Sequence, residues 1–158
     1  MKKALFSILI FTLFLQSCKK NESKCDYDPC TNKAPASEIA NLQAYISANS
    51  ITATQHCSGV FYNIETIGTD KSPNPCSNIS FKYKGYLTNG NVFDQQTTPV
   101  DYSLGRLVPA WRNVLPMIKA GGRMVIYVPP SLGYGSQDYG SIPGNSILIF
   151  EVDLVAVQ

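Results

Sequence analysis

Six aromatic residues, Tyr83, Phe93, Tyr102, Trp111, Tyr134 and Phe150, are spread over almost seventy positions of this chain, and Asp94 directly follows Phe93. Few groups able to do acid–base or nucleophilic work accompany them. His56 is the only histidine, so no Ser–His or Cys–His pair can be assembled with it and trusted. It reads as a surface residue rather than as a ligand or a base. No glycine-rich loop leads from a strand into a helix, so phosphate cradling has no support. An inventory rich in aromatics and poor in histidine suits chemistry done by an apolar, water-poor pocket, with no metal and no cofactor. Taken singly, Trp111, Phe93 and Phe150 are ordinary core residues, Asp94 a turn residue and Tyr134 a loop aromatic. Only elements that bring them together would give them a joint role.

Those elements are mostly strands. Val60, Tyr62 and Ile64 alternate with Phe61 and Asn63, and Ile79, Phe81 and Tyr83 alternate with Ser80, Lys82 and Lys84, the pattern of half-buried strands. Pro73 and Pro75 break the chain between them. Asn89-Gly90 is a hairpin turn signal. Met124, Ile126 and Val128 alternate before Pro129-Pro130, and Leu148, Phe150, Val152 and Leu154 form one face of a closing strand. One helical piece, residues 110–118, interrupts the series and ends at Gly121-Gly122. Upstream, Ser37 is expected to cap a helix running to about Ala48, with Ile39, Leu42 and Ile46 on one stripe. The length of 158 residues suits one domain with one core. Antiparallel strands around a short helix predict an α+β fold.

In this frame the chain resembles the FKBP-type peptidyl-prolyl isomerases. Phe81-Lys82-Tyr83-Lys84-Gly85-Tyr86-Leu87, then Asn89-Gly90 and Phe93-Asp94, are similar to the family's opening motif. Leu104-Gly105-Arg106-Leu107-Val108-Pro109-Ala110-Trp111 is similar to its middle motif. Gly121-Gly122, Val128 to Gly135, Ile142-Pro143-Gly144-Asn145 and Leu148 to Val152 complete the order. The match covers about residues 59–155. The resemblance implies an antiparallel twisted sheet wrapped around one short helix. It also implies a proline pocket lined by Tyr83, Phe93, Trp111 and Phe150 with Trp111 as floor. Tyr102, Leu107, Val108, Tyr134 and Ile142 would complete that pocket. The Val108 N–H and the Tyr134 hydroxyl would hold substrate carbonyls, and Asp94 would stand at the wall, hydrogen-bonded to Tyr83. Proline-containing polypeptides would be the partners, and no cofactor is implied. The alternative is a non-catalytic module that holds proline-containing segments in the same pocket.

The sequence departs from the family pattern at four places. Ala110 stands for a usual glycine, and Pro116 falls inside the expected helix, where it removes a donor. Pro143-Gly144 replaces a usual Pro-Pro, which predicts a looser loop over the pocket. Val100 stands near a position often aromatic, which predicts a more open rim. The interval 136–141 is too short to carry an inserted chaperone domain.

The remaining signals are an address and a set of cysteines. Met1-Lys2-Lys3 precedes twelve mostly apolar residues, 4–15, which as a helix would span ~18 Å against a bilayer core of ~30 Å. This predicts a signal peptide over 1–17. Leu15-Gln16-Ser17-Cys18 resembles a bacterial lipobox, which implies that Cys18 becomes the lipidated first residue and anchors the protein to a membrane, facing an extracytoplasmic space. Residues 18–35 are expected to be a tether, 36–56 a helical lead-in and 57–158 the isomerase domain. Cys25, Cys30, Cys57 and Cys76 favour disulfides in an exported chain. Local pairing, Cys25–Cys30 and Cys57–Cys76, is the expectation among three possibilities. Their spacing is not that of a zinc site. Without Lys2 and Lys3 the chain carries eleven basic and eleven acidic residues, a balance that argues against nucleic acid as partner. A monomer is expected, with the helix beginning at Ser37 as the route to a dimer.

Overall fold

A computed structural model describes residues 25–158. The expected signal peptide and the expected lipidation at Cys18 lie outside them. The order of elements is helix α1 (Ala36–Ala48), strands β1 (Thr54–Gln55), β2 (Phe61–Thr66), β3 (Asn78–Leu87) and β4 (Val92–Ser103), helix α2 (Pro109–Val114), then strands β5 (Gly122–Val128) and β6 (Leu148–Val157). The six strands form one antiparallel sheet in the order β1-β2-β5-β6-β3-β4. This is the α+β fold expected, with α2 packed in the concave side of the sheet.

Both faces of the sheet are used. Strand residues alternate between faces, and on β5 the odd and even positions are both apolar. Met124, Ile126 and Val128 point inward with Phe81, Trp111, Phe150 and Val152 to form the main core. Val125 and Tyr127 point outward with Phe61 and Ile149, where Leu42 and Ile46 of α1 cover them. Helix α1 is thus a lid on the outer face, and Leu42 is fully buried on its sheet-facing side. Its first residue follows Pro35, and no side chain caps it. Ser37, expected as the cap, lies one residue inside the helix. Glu38 reaches across to accept from the Ser131 N–H at 2.9 Å.

The cysteines pair otherwise than expected. Cys25 joins Cys76 and Cys30 joins Cys57, with Cα separations of 5.8 and 5.4 Å. The sheet order explains the difference. Cys57 precedes β2 and Cys76 precedes β3, and these strands stand three spacings apart, about 14 Å at the usual strand separation. A disulfide needs Cα atoms within about 7 Å. Residues 25–35 run along the domain instead and are stapled at Cys25 and Cys30, so this part of the expected tether is bound to the fold. Ala34 is buried and donates to the Ser58 carbonyl at 2.9 Å. Strand β1 pairs with β2, so the sheet begins at Thr54, inside the interval 36–56 expected as a helical lead-in.

The expected helix over 110–118 is α-helical only through Val114. Leu115–Met117 tighten into a 3-10 turn that contains Pro116, whose ring nitrogen cannot donate to a fourth-preceding carbonyl. The methyl of Ala110 is accommodated inside the core, fully buried.

Candidate active site

The concave side of the sheet holds a cavity of about 250 Å³. Its floor is Trp111, 3% exposed, and α2 places it there. Val108 ends the preceding turn with an extended backbone, and its carbonyl accepts from the Trp111 N–H at 3.0 Å. Pro109 occupies the first helical position, where a missing N–H costs nothing and a fixed φ suits the helix. Three rings meet the indole edge-on: Phe81 at 5.1 Å, Tyr83 at 5.5 Å and Phe150 at 5.2 Å between centroids, with interplanar angles of 75°, 81° and 89°. Perpendicular contacts of this kind are the favoured aromatic geometry. They fix the indole from three sides.

The walls follow from strand register. Gly85 on β3 pairs with Asp94 on β4 and with Phe150 on β6. A side chain at Gly85 would strike Phe93 and Phe150 at 2.6 and 2.9 Å, so only glycine lets both rings lie on the strand there. Tyr83 donates its hydroxyl hydrogen bond to Asp94. Burial, and then the Asp94 carboxylate, push the Tyr83 hydroxyl well above the ordinary phenol range, so it stays protonated at neutral pH. Burial does the same to Tyr134 more modestly. Tyr134 stacks on Tyr139 at 4.8 Å and meets Phe93 edge-on at 6.3 Å.

Of the residues named from sequence, Tyr83, Asp94, Tyr102, Leu107, Val108, Trp111, Tyr134 and Phe150 line this cavity. Phe93 stands behind the wall, packed on Phe150 at 5.6 Å, and lines a separate hollow with Leu87, Val92 and Ser141. Ile142 is 5% exposed in the main core and is not among the lining residues; its backbone exchanges hydrogen bonds of 2.9 Å with Tyr139. It holds the loop that carries Tyr139. Phe81, Gln96 and Arg106 line the cavity and were not named for it. Phe81 was visible as an inward strand residue; the two polar side chains gave no signal of their own. Val100 lies on the wall, and Tyr102 beside it is 55% exposed at the rim.

The loop expected to be loose is braced. The Gly144 N–H donates to Asp138 at 2.8 Å, and the Asn145 N–H to the Gly135 carbonyl at 3.0 Å. A side chain at Gly144 would collide with the Ser136 backbone, so glycine there draws the loop tight.

Behind α2, the buried Asn113 accepts from the Tyr27 hydroxyl, and the Arg112 guanidinium lies 5.2 Å over the Tyr27 ring. The stapled segment 25–35 therefore supports the helix that carries the floor. Cys30, His56 and Cys57 bring three potential metal-ligand atoms within 4.8 Å of one another, but both sulfurs are spent on a disulfide. His56, expected at the surface, is half-buried beside Ser58 at 2.9 Å, and burial lowers its pKa.

A twisted antiparallel sheet closed on a short helix, with a tryptophan at the bottom of an aromatic cavity, defines the class. Residues 69–155 match the FKBP-type peptidyl-prolyl cis-trans isomerase family, and the chain belongs to that family. Among curated relatives, the FKBP-type isomerase FkpA of Aeromonas hydrophila is 29% identical over 140 residues, 87% of this chain and 51% of that protein. FkpA of Escherichia coli K12 is 30% identical over 140 residues, 87% of this chain and 50% of its own length. The chain thus spans about half the length of these relatives. The crystal structure of Escherichia coli FkpA superposes with a TM-score of 0.70 at 29% identity, over 78% of this chain and 60% of that one. A peptidyl-prolyl cis-trans isomerase from Pseudomonas syringae shares the fold at a TM-score of 0.69 and 24% identity, over 80% of this chain and 98% of that one.

Proposed function

We propose that this chain is a peptidyl-prolyl cis-trans isomerase that accelerates X-Pro rotation in unfolded or loop segments of extracytoplasmic proteins. The observation that carries the reading is the aromatic cavity floored by Trp111 within a member of this family. Rotation about the X-Pro bond is opposed by amide resonance, with a barrier of ~18–20 kcal/mol, and takes tens of seconds or longer unaided. The planar amide separates charge between oxygen and nitrogen, and the twisted transition state separates less. An apolar pocket therefore favours the twisted form over the planar one, which is differential binding of the transition state. The proline ring sits against Trp111 between Tyr83 and Phe150. The Val108 N–H and the Tyr134 hydroxyl fix the carbonyls on either side, and Asp94 with Tyr83 holds the wall. Tyr102 and Leu107 complete the contact, with Phe93 packed behind Phe150. Ile142 acts by holding the Tyr139 loop.

The protein works outside the cytoplasm, a reading supported by two disulfides. Lipidated Cys18, following a cleaved signal peptide over 1–17, holds it to the membrane, with proline-containing clients as its partners and a single copy as its working form.

The test is cis-to-trans conversion of short X-Pro peptides by the oxidised full chain in detergent, beside Trp111→Ala. Acceleration proportional to protein, falling at least about tenfold in the variant (about 1.4 kcal/mol of barrier), is expected. Saturable peptide binding by folded protein without acceleration would replace the enzyme by a holding module.

A further inference from the structure

The cavity is charged at two points only. Asp94 and Arg106 are the charged members of its lining, and they stand at opposite ends of one strand. Asp94 is the third residue of β4, and Arg106 closes the 3-10 turn directly beyond the end of β4. The two differ in how far their charges are committed. Asp94 accepts a hydrogen bond from Tyr83 and belongs to the wall. Arg106 is exposed, and among the described residues every ion pair belongs to Arg123 on the outer face of the sheet. No side-chain hydrogen bond from Arg106 is found among the described residues either. Arg106 lines the cavity and is yet open to solvent, which puts it at the mouth and not at the floor.

An arginine at the rim of a peptide-binding cavity, without a carboxylate of its own, offers a planar fork of N–H donors matched to a carboxylate. The acidic and basic residues beyond the leader are equal in number, so the chain has no net charge to steer a client from afar, and the local charge at the mouth sets the preference. At the other end of the strand the Asp94 carboxylate repels an acidic neighbour. A polypeptide lying across the cavity therefore meets a positive mouth on one flank of its proline and a negative wall on the other.

We propose that Arg106 is a specificity-determining residue that selects clients with an aspartate or glutamate on one flank of the proline, the flank lying toward the end of β4. This rests on the reading of the cavity as the proline site. The pair it forms is solvent-exposed, so the preference is modest, about two- to fivefold, and it acts largely on encounter and weakens with salt.

The experiment uses the oxidised full chain in detergent and two peptide series, with Glu, Gln or Lys either immediately before or immediately after proline. At low ionic strength kcat/KM is expected to rank Glu above Gln above Lys in one series and not in the other, and the Glu-to-Lys ratio is expected to shrink in high salt. Arg106→Gln is expected to bring that ratio close to one, Arg106→Glu to invert it, and Arg106→Lys to keep its sign. A merely structural role would lower all peptides in parallel and leave the ratio intact, which overturns the proposal, as does the absence of any charge preference in the parent chain. If the chain binds these peptides without isomerising them, the enzyme reading fails separately, and the same ratio is read from dissociation constants followed by Trp111 fluorescence.

Discussion

The two faces of the sheet are built from the same strands by opposite means. On the concave face, large rings from β3, β6 and α2 meet edge-on around Trp111 and leave a cavity among them. On the convex face, part of the surface is sealed by the aliphatic stripe of α1 and the rest carries Lys82, Lys84 and the Arg123 cluster. The rings line this opening rather than close it, together with Val100, Leu107 and Val108. Leu42 and Ile46, by contrast, are buried directly against Phe61, Val125, Tyr127 and Ile149. The lesson is that stability and binding are divided between faces: the outer face holds the sheet's shape and the inner face spends part of its packing on an opening.

The largest effect should come from breaking this division at its two centres. Leu42 and Ile126 are both fully buried, one on the sheet-facing side of α1 and the other in the main core beside the aromatic cluster. Leu42→Ala and Ile126→Ala should each cost about 2–5 kcal/mol in denaturant unfolding. Turnover per folded molecule should be kept in the first and reduced in the second. Equal losses of turnover in both would mean that α1 shapes the cavity and that the faces are not independent.

The inner face was the more legible in the amino-acid sequence. Its residues alternate along β2, β3 and β6, and their motifs fall in the order of a known family. The helix α1 was visible as the stripe Ile39, Leu42 and Ile46, but its seat was missed. The signal for the seat was the unbroken apolar run Met124 to Val128, read as one alternating face although Val125 and Tyr127 complete a second. A strand apolar on both sides must be covered on both sides. Strand β4 escaped notice because most of it is exposed at the sheet edge, where alternation fades and Pro99 is tolerated. The disulfides depend on which strands are neighbours in space, and spacing along the chain does not contain that. Arg106 and Gln96 joined the cavity through a turn and an edge strand, neither of which carries a periodic signal.

A smaller effect separates the faces along a single strand. Tyr83 and Tyr86 of β3 face opposite sides, and burial raises both phenols: Tyr83, next to Asp94, well above the ordinary phenol range, and Tyr86, beside Glu151, to about 12. A group whose folded pKa is raised adds stability that is complete below its unfolded value near 10 and is lost as pH climbs through the folded value. Unfolding free energy should therefore be flat with respect to these groups up to about pH 9.5 and decline through about 12. Tyr86→Phe should remove part of that decline with turnover intact, and Tyr83→Phe should remove part of it and lower turnover a few-fold. A decline unchanged in both variants would assign the alkaline transition to other groups and sever the link between these phenols and their faces.

The smallest effect belongs to the charged part of the outer face. Arg123 on β5 reaches Glu65 on β2 at 2.7 Å and Glu151 and Asp153 on β6 at 2.8 and 2.9 Å, so one guanidinium bridges three adjacent strands. Hydrogen bonds to Glu65 and Asp153 raise its pKa above the ordinary guanidinium value, so it stays charged at neutral pH. About a third of the side chain is open to water, and an exposed pair contributes about 0–1 kcal/mol. Arg123→Ala also leaves three carboxylates converging on an empty centre, and their mutual repulsion adds to the loss at low ionic strength. The expected cost is about 1 kcal/mol in dilute buffer, falling to less than half of that in ~1 M salt, where the screening length is about 3 Å. Turnover should not change. A loss of turnover in this variant would show that strain on the outer strands reaches the cavity through β6, which carries Glu151 and Asp153 on one face and Phe150 on the other, and the division of labour would then fail at the strand the two faces share most closely.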